Sequence, residues 1–233
     1  MRCPPPSLEG GEDVKLEELR ESILENITRD DLTSERINRH INSTLQRIAR
    51  YHNWKDLYVK ATTETIANQS EYSLPLRTDR LKDIVSITLS DGSSRGVRLK
   101  FVPYRQFHEI IPVPSSGQIG KPQNYVVWDN VIQLYPIPSD IFILNLLYVK
   151  WPDELVEGEE PEITGVDDLI ISGATSSLFM SLQQVEPAGI WHQQFNILLS
   201  EAVQADLKNT DSEFKMQGFR ASDMFVPGQN QPM

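Results

Sequence analysis

The clearest pattern of hydrophobic positions lies between residues 123 and 151, and it is typical of β-strands. Three apolar runs of strand length are separated by turn sequences at residues 129–130 and 138–140. The third run, from Ile141 to Val149, is apolar at odd and even positions alike except at Asn145. Because successive side chains of a strand point to opposite faces, this run predicts a strand that is covered on both faces. The stretch therefore predicts the centre of a β-domain.

Alternating apolar and polar residues before this stretch predict further strands. Residues 57–63 and 85–89 alternate, and the second of these runs ends at the turn sequence Asp91-Gly92. Residues 97–101 alternate again, which predicts that they complete a hairpin with the preceding strand. Short strands joined by turns predict an antiparallel sandwich or barrel-like domain that spans about residues 57–155.

Apolar residues at helical spacing predict two helices before this domain and two after it. The first follows a Pro- and Gly-rich segment, residues 1–13, which we expect to be flexible. Thr33 has the position of an N-cap for the second helix. The third carries Gly173 and Ser177 on one side, where another helix can approach closely. We expect the fourth to end at about Lys208. The predicted fold class is α+β, with a helical bundle of residues 14–56 and 165–208 into which the β-domain is inserted.

The second predicted helix has a narrow basic stripe opposite its apolar side. Four arginines fall within one arc at about 100° per residue: Arg36, Arg39, Arg47 and Arg50. Two interpretations stay open at this point. The stripe can be a solvated face that pairs with the acidic first helix, or it can face a neighbouring subunit or DNA in a channel.

Two further segments stand out by composition. Between Asp153 and Asp168 there are eight acidic residues and no basic one, and residues 156–164 are predicted to be an acidic loop. The loop lacks the residue pattern of a calcium site, which favours a solvated loop or a partner contact over a metal site.

Residues 209–233 lack a sustained period, and we expect an extended docking arm. Its predicted anchors are Phe214, Met216, Phe219, Arg220, Met224 and Phe225. A loose tail, or a strap over the protein's own helices, is the alternative.

Composition and motif content predict neither an enzyme nor a membrane protein. The formal net charge of −11 argues against a surface that grips nucleic acid throughout. Cys3 is the only cysteine, which excludes an intrachain disulfide. The four histidines have no zinc-ligand spacing, and the sequence has no nucleophile elbow, P-loop or dinucleotide fingerprint. We therefore expect no catalytic residues, no metal, no cofactor and no membrane partner.

The order of several short motifs resembles the head-to-tail adaptor (connector) proteins of tailed bacteriophages, the tail tubular protein A-like class. A helix ends in an aromatic junction, short strand motifs follow, and an acidic loop precedes two closing helices. The motifs are IARY at 48–51, WKDL at 54–57, YSLP at 72–75, LKDIV at 81–85, GKPQNY at 120–125, IQLYPIP at 132–138 and LLYVKWP at 146–152. The resemblance covers about residues 32–208.

The resemblance implies a structural virion protein at the head-to-tail interface, assembled in the host cytoplasm. Members of the class are implied to form a ring, expected to be dodecameric, that docks under the portal protein at the capsid vertex. The ring would extend the DNA channel, hold a downstream tail or nozzle protein, and let double-stranded DNA pass without sequence-specific binding. The alternative is a non-catalytic binding module whose β-sandwich recognises carbohydrate or peptide, with Trp128 or Trp151 as a stacking platform.

Overall fold

The computed structural model describes residues 14–27, 29, 31–74, 80–91, 96–110, 117–129 and 131–216. Close contacts between Cα atoms divide the chain into two compact units. The helical unit combines the described residues up to Asp56 with those from Asp153 onward, and the β-unit consists of residues 57–152. Helices and strands are both present, so the predicted α+β class is confirmed.

The described residues form five α-helices. They are α1 (Leu16–Asn26), α2 (Ser34–Tyr51), α3 (Tyr104–Ile110), α4 (Asp167–Ser181) and α5 (Val185–Met216). In the helical unit, α4 lies against α1, α2 and α5. This central position explains its sequence, because Leu169, Ile170, Ala174 and Leu178 are buried together with small polar residues. A helix surrounded by other helices needs apolar or small residues on most of its sides.

The last helix ends later than its sequence predicts. α5 continues to Met216, past the expected end at Lys208. Residues 209–216 contain neither glycine nor proline, so nothing in their backbone chemistry stops a helix that is already formed. The first part of the predicted extended arm is therefore helical, which corrects its proposed start. The rest of that arm, residues 217–233, lies outside the described residues.

The β-unit contains ten short strands among its described residues. They are β1 (Tyr58–Glu64), β2 (Glu71–Ser73), β3 (Leu81–Ser90), β4 (Val97–Arg98), β5 (Lys100–Phe101), β6 (Ile119–Gly120), β7 (Asn124–Trp128), β8 (Val131–Tyr135), β9 (Ile137–Pro138) and β10 (Ile143–Lys150). Two four-stranded sheets have the orders β1-β10-β3-β4 and β2-β8-β7-β5, and β6 pairs with β9. The sheets are open, so the barrel-like alternative is wrong for the residues that the structure describes. Most strand pairs are antiparallel, but β5–β7 and β6–β9 are parallel.

The predicted hairpin after β3 is only partly correct. β4 pairs with β3 as expected, and the Leu99 amide still donates to the Ile87 carbonyl oxygen at 2.9 Å. One residue later the chain changes sheets, because the Lys100 amide donates to the Gln123 carbonyl oxygen. Alternation alone predicts one continuous strand over residues 97–101, since apolar and polar residues alternate in the same way before and after Leu99.

β10 is the central strand of its sheet, with β1 on one side and β3 on the other. Leu144, Leu146 and Tyr148 are buried, whereas Ile143 and Leu147 are only partly buried. Val149, at an odd-numbered position like Ile143 and Leu147, is fully buried. The expectation of cover on both faces is therefore confirmed only in part. The buried residues belong to a core cluster that draws side chains from both four-stranded sheets, including Tyr125 and Leu134 of the second sheet.

Candidate subunit-interface site

The basic stripe lies on the side of α2 that faces away from its apolar residues. The hydroxyl oxygen of Thr33 accepts the amide of Arg36 at 3.4 Å, which confirms the predicted N-cap. The apolar stripe of Ile37, Ile41, Leu45 and Ile48 is buried. Burial of that stripe fixes the rotation of the helix, and the arginines are placed on the other side as a consequence.

Two of the four stripe arginines have polar partners within the helical unit. Arg36 donates to the Ser181 hydroxyl of α4 at 3.0 Å. Arg39 forms an ion pair with Glu35 of its own helix at 3.2 Å, and both side chains are largely exposed. An exposed pair of this kind contributes only about 0.3–0.5 kcal/mol. Neither contact reaches α1, so these two arginines do not pair with the acidic first helix in the described structure.

Arg47 has a different environment, because its guanidinium is pressed between α4 and α5. The guanidinium carbon lies 4.0 Å from the centre of the Phe195 ring, in a cation–π contact. Its Nε and Nη2 atoms are buried and have no hydrogen-bond acceptor among the described residues. Burial also lowers the pKa of this guanidinium from its ordinary value. Within the part of the chain that the structure describes, Arg47 is therefore a cation without a carboxylate partner.

The close approach of the helices around Arg47 depends on Gly173 of α4. A Cβ atom at this position would lie 2.5 Å from Thr44 Cγ2, 2.7 Å from Phe195 Cδ2 and 2.8 Å from Arg47 Nη2. The prediction that small residues on α4 allow another helix to approach closely is confirmed. Glycine here lets both α2 and α5 pack onto the same turn of α4.

Two adjoining cavities open at Arg47, and together we call them the Arg47 groove. The first, about 470 Å³, is lined among others by Ser176 and Met180 of α4 and by Val185 and His192 of α5. The second, about 220 Å³, extends along α2 past Ser43 and Arg50. Both share Arg47 and Ser177. The groove thus combines a mainly apolar end with a basic end.

Sequence reasoning identified Arg47 and Arg50 but missed the groove itself. Met180, Val185 and His192 have no feature of their own that separates them from surface residues. The small residues of α4 were the only feature of the sequence that could have indicated the groove. They mark where α2 packs closely against α4, and they do not show where a cavity remains open.

His40 lies beside the groove, and its surroundings disfavour the protonated form of its imidazole. Nδ1 lies 2.8 Å from the Ser177 hydroxyl oxygen. Burial lowers the pKa of His40 below its usual value, and the charges of Arg36 and Arg39 lower it further. A neutral ring can accept the Ser177 hydroxyl at Nδ1, which a protonated ring cannot.

The lowered pKa of His40 predicts a loss of stability in acid. The unfolded chain binds the proton more tightly than the folded chain, so this contribution is complete above about pH 6.5 and is lost as the pH falls below it. His40→Gln keeps a side-chain acceptor and removes the titrating group. We expect the melting temperature of the wild type to fall more than that of His40→Gln between pH 7.5 and pH 5.5. Equal decreases in melting temperature would show that the pKa of His40 is the same in the folded and the unfolded chain.

The acidic residues after the β-unit lie along α1 and α2 of the helical unit. We call residues 153–162 the acidic segment. Asn42 of α2 holds it at Leu155, donating to the carbonyl oxygen at 3.2 Å and accepting the amide at 2.8 Å. Arg20 of α1 pairs with Glu157 at 3.4 Å, and the Gly158 amide donates to Glu17 at 2.8 Å. These contacts fix the backbone of the segment.

The other predicted site residues are only partly described. Phe214 and Met216 lie on the last turns of α5, while Phe219, Arg220, Met224 and Phe225 lie outside the described residues. The part of the chain that the structure describes contains no group of three acidic, histidine or cysteine side chains able to hold a metal ion. No described helix has the length and hydrophobicity needed to cross a membrane.

Comparison with known proteins identifies one family. A family model described as SU10 adaptor protein matches residues 14–216, which covers both units. No curated protein matches the chain. The resemblance to head-to-tail adaptor proteins that the sequence motifs indicated is thereby confirmed.

Proposed function

The chain belongs to the SU10 adaptor protein family, and on this premise we propose that it forms a ring under the portal protein at the capsid vertex. Membership of the family makes it a structural adaptor of a phage. The proposal adds the ring, the portal as the upper partner, a tail or nozzle protein as the lower partner, and a channel through which double-stranded DNA passes.

The observation that carries this proposal is the guanidinium of Arg47, in which two buried nitrogens lack an acceptor among the described residues. Leaving buried donor atoms without an acceptor is costly, and the cation–π contact with Phe195 does not supply a hydrogen bond. A subunit that completes the site on assembly resolves this, because a second chain can supply the missing acceptor. The acidic balance of the chain also suits a channel wall, since negative charge repels phosphates and lets DNA slide.

Residues 217–233 are proposed to dock the ring on the portal. Arms that order on a partner can lay several apolar anchors into separate pockets, and Phe219, Met224 and Phe225 supply such anchors. Deleting residues 217–233 tests this role. The truncated protein keeps both described units, so we expect an unchanged melting temperature and the loss of co-sedimentation with purified portal rings. Full binding by the truncated protein would place the dock on the helical unit instead.

A second candidate, recognition of carbohydrate or peptide by the β-unit, is favoured by one observation. The Trp128 side chain is 58% exposed and stacks on Tyr104, with 4.0 Å between the ring centres. An exposed aromatic pair can support a sugar ring. Trp151 fits this role less well, because it is only partly exposed and the Lys82 ammonium lies 5.6 Å from its ring centre. A change in tryptophan fluorescence on titration with oligosaccharides, absent in Trp128→Ala, would support this candidate.

A further inference from the structure

We propose that the Arg47 groove receives the acidic segment of a second copy of this chain, so that neighbouring subunits of the ring meet head to tail. This inference rests on the proposed ring and goes beyond it, because it names the two surfaces that meet. The acceptor missing at Arg47 is then a carboxylate of the adjacent subunit.

The charge of the groove requires an acidic occupant. Arg47 and Arg50 line it, and no carboxylate is among the lining residues that the structure describes. The buried Nε and Nη2 atoms of Arg47 lack an acceptor. A carboxylate is the acceptor that a guanidinium binds most strongly, since two parallel hydrogen bonds can form.

The acidic segment has the complementary chemistry. Glu154 and Glu160 are exposed and form no ion pair among the described residues. Between them the Val156 side chain is 55% exposed and available for contact. The apolar end of the groove includes Met180 and Val185, which are 58% and 68% exposed. In the proposed contact, the Val156 side chain therefore packs into the apolar end of the groove, and the carboxylates on either side of it lie near the arginines.

The segment is also held ready for binding. Its backbone is fixed by Asn42, by the Leu16 amide, which donates to the Glu159 carbonyl oxygen at 3.1 Å, and by Glu17 at Gly158. A segment whose conformation is already fixed loses little entropy when it docks. The exposed carboxylates are thus displayed on a rigid support.

The two surfaces point in different directions on one subunit. Asn42 holds the segment and Arg47 lies in the groove, and these residues are five positions apart on α2. At 3.6 residues per turn, that separation places them roughly 140° apart around the helix axis. A contact between two different patches of identical chains is heterologous, and when its rotation closes it generates a ring.

The tail of the same chain is a weaker candidate for the groove. Residues 217–233 contain one basic and one acidic residue, Arg220 and Asp223. The acidic segment contains six carboxylates and no basic residue. Charge complementarity therefore favours the acidic segment of a second copy.

A pair of charge-reversed variants tests the contact. The first, Glu154→Arg with Glu160→Arg, puts positive charge at the two exposed carboxylate positions of the segment that form no ion pair among the described residues, and the second, Ser43→Glu with Arg50→Glu, makes the groove acidic. All four positions are exposed, so both variants should fold, as circular dichroism can verify. If either double variant is unstable, the single changes Glu154→Arg and Arg50→Glu replace it.

Ring formation on purified portal rings is measured by native mass spectrometry. Each variant alone should lose ring assembly at least about tenfold, because like charges then meet at the exchanged positions of every interface. An equal mixture should recover it, since the two introduced arginines meet the acidic groove at one interface and the natural pair meets at the next. A single chain that carries all four changes should recover it as well.

The outcomes separate this inference from the proposed function. If each variant alone forms rings as well as the wild type does, the proposed contact is wrong but the proposed adaptor ring still stands. If the wild type fails to bind portal rings, the proposed docking is wrong. The contact between subunits is then tested without portal, by sedimentation of the wild type and the variants at high protein concentration. If the variants then associate only when they are mixed, the result would still support the contact between the groove and the acidic segment. If no sample associates, both the contact and the proposed ring would be overturned.

Discussion

Leu146→Ala is expected to lower the free energy of unfolding by about 2–5 kcal/mol, the range found for leucine truncation in a packed core. Leu146 is 6% exposed and belongs to the cluster formed by side chains of both four-stranded sheets. It lies on the central strand β10, opposite Ala61 of β1 and Ile87 of β3. Truncation removes apolar area from this core and leaves a cavity that the paired strands on either side cannot easily fill.

Leu147→Ala is the matched control, because it makes the same change on the next residue of the same strand. Leu147 points to the opposite face and is only partly buried. We expect a loss of roughly 1 kcal/mol, in proportion to the smaller apolar area removed from water. Denaturant unfolding of both variants gives the comparison. Equal losses would mean that both faces of β10 are packed alike, as apolar residues at both odd and even positions of the run suggested.

Gly173→Ala is expected to destabilise the helical unit although alanine is the better helix former. The added Cβ overlaps Thr44, Phe195 and Arg47, and overpacking of this kind costs about 1–3 kcal/mol. Helix propensity returns at most about 1 kcal/mol. We therefore expect a net loss of stability, and a larger one for Gly173→Leu, since the neighbouring atoms belong to a β-branched side chain, an aromatic ring and a half-buried arginine.

Gly189→Ala provides the control in α5. A Cβ at this position would meet no atom within 4 Å, so the helix propensity acts alone. We expect a gain of about 0.5–1 kcal/mol. The same substitution should thus have opposite signs at the two glycines in thermal or denaturant unfolding. A stabilising effect at Gly173 would show that α2 and α5 do not approach α4 as closely as the structure indicates.

The parts of the fold that the sequence predicted are those decided by local pattern. α2 follows from an N-cap residue and a continuous apolar stripe, and both act within a few residues of each other. The tight turn after Trp128 follows from its residue types, and Asp129 has the positive φ of 52° that such turns require. Each of these features depends on neighbours in sequence.

The parts that the sequence did not predict depend on contacts between distant residues. Leu99 marks a change of sheet because Gln123 and Tyr125 offer acceptors to Lys100 and Val102, and alternation does not record that pairing. The end of α5 is another case, since helix propensity without a breaker only permits a helix and does not set its length.

The candidate site divides in the same way. The arginine stripe was visible because it follows the period of one helix. The Arg47 groove was not, because it is formed by three helices that come together at Gly173. The family itself could be inferred from the order of short motifs between residues 48 and 152, which samples many elements rather than one.

Native mass spectrometry of the full-length chain, alone and mixed with the portal ring of the same phage, tests the central claim most directly. The adaptor account predicts a monomer or a weakly associated species alone, because an obvious long apolar patch outside the predicted core is lacking in the sequence. With portal, it predicts one complex whose added mass corresponds to a closed ring of chains, expected to be twelve by the family resemblance. A stable monomer that adds no mass to the portal ring would contradict the account.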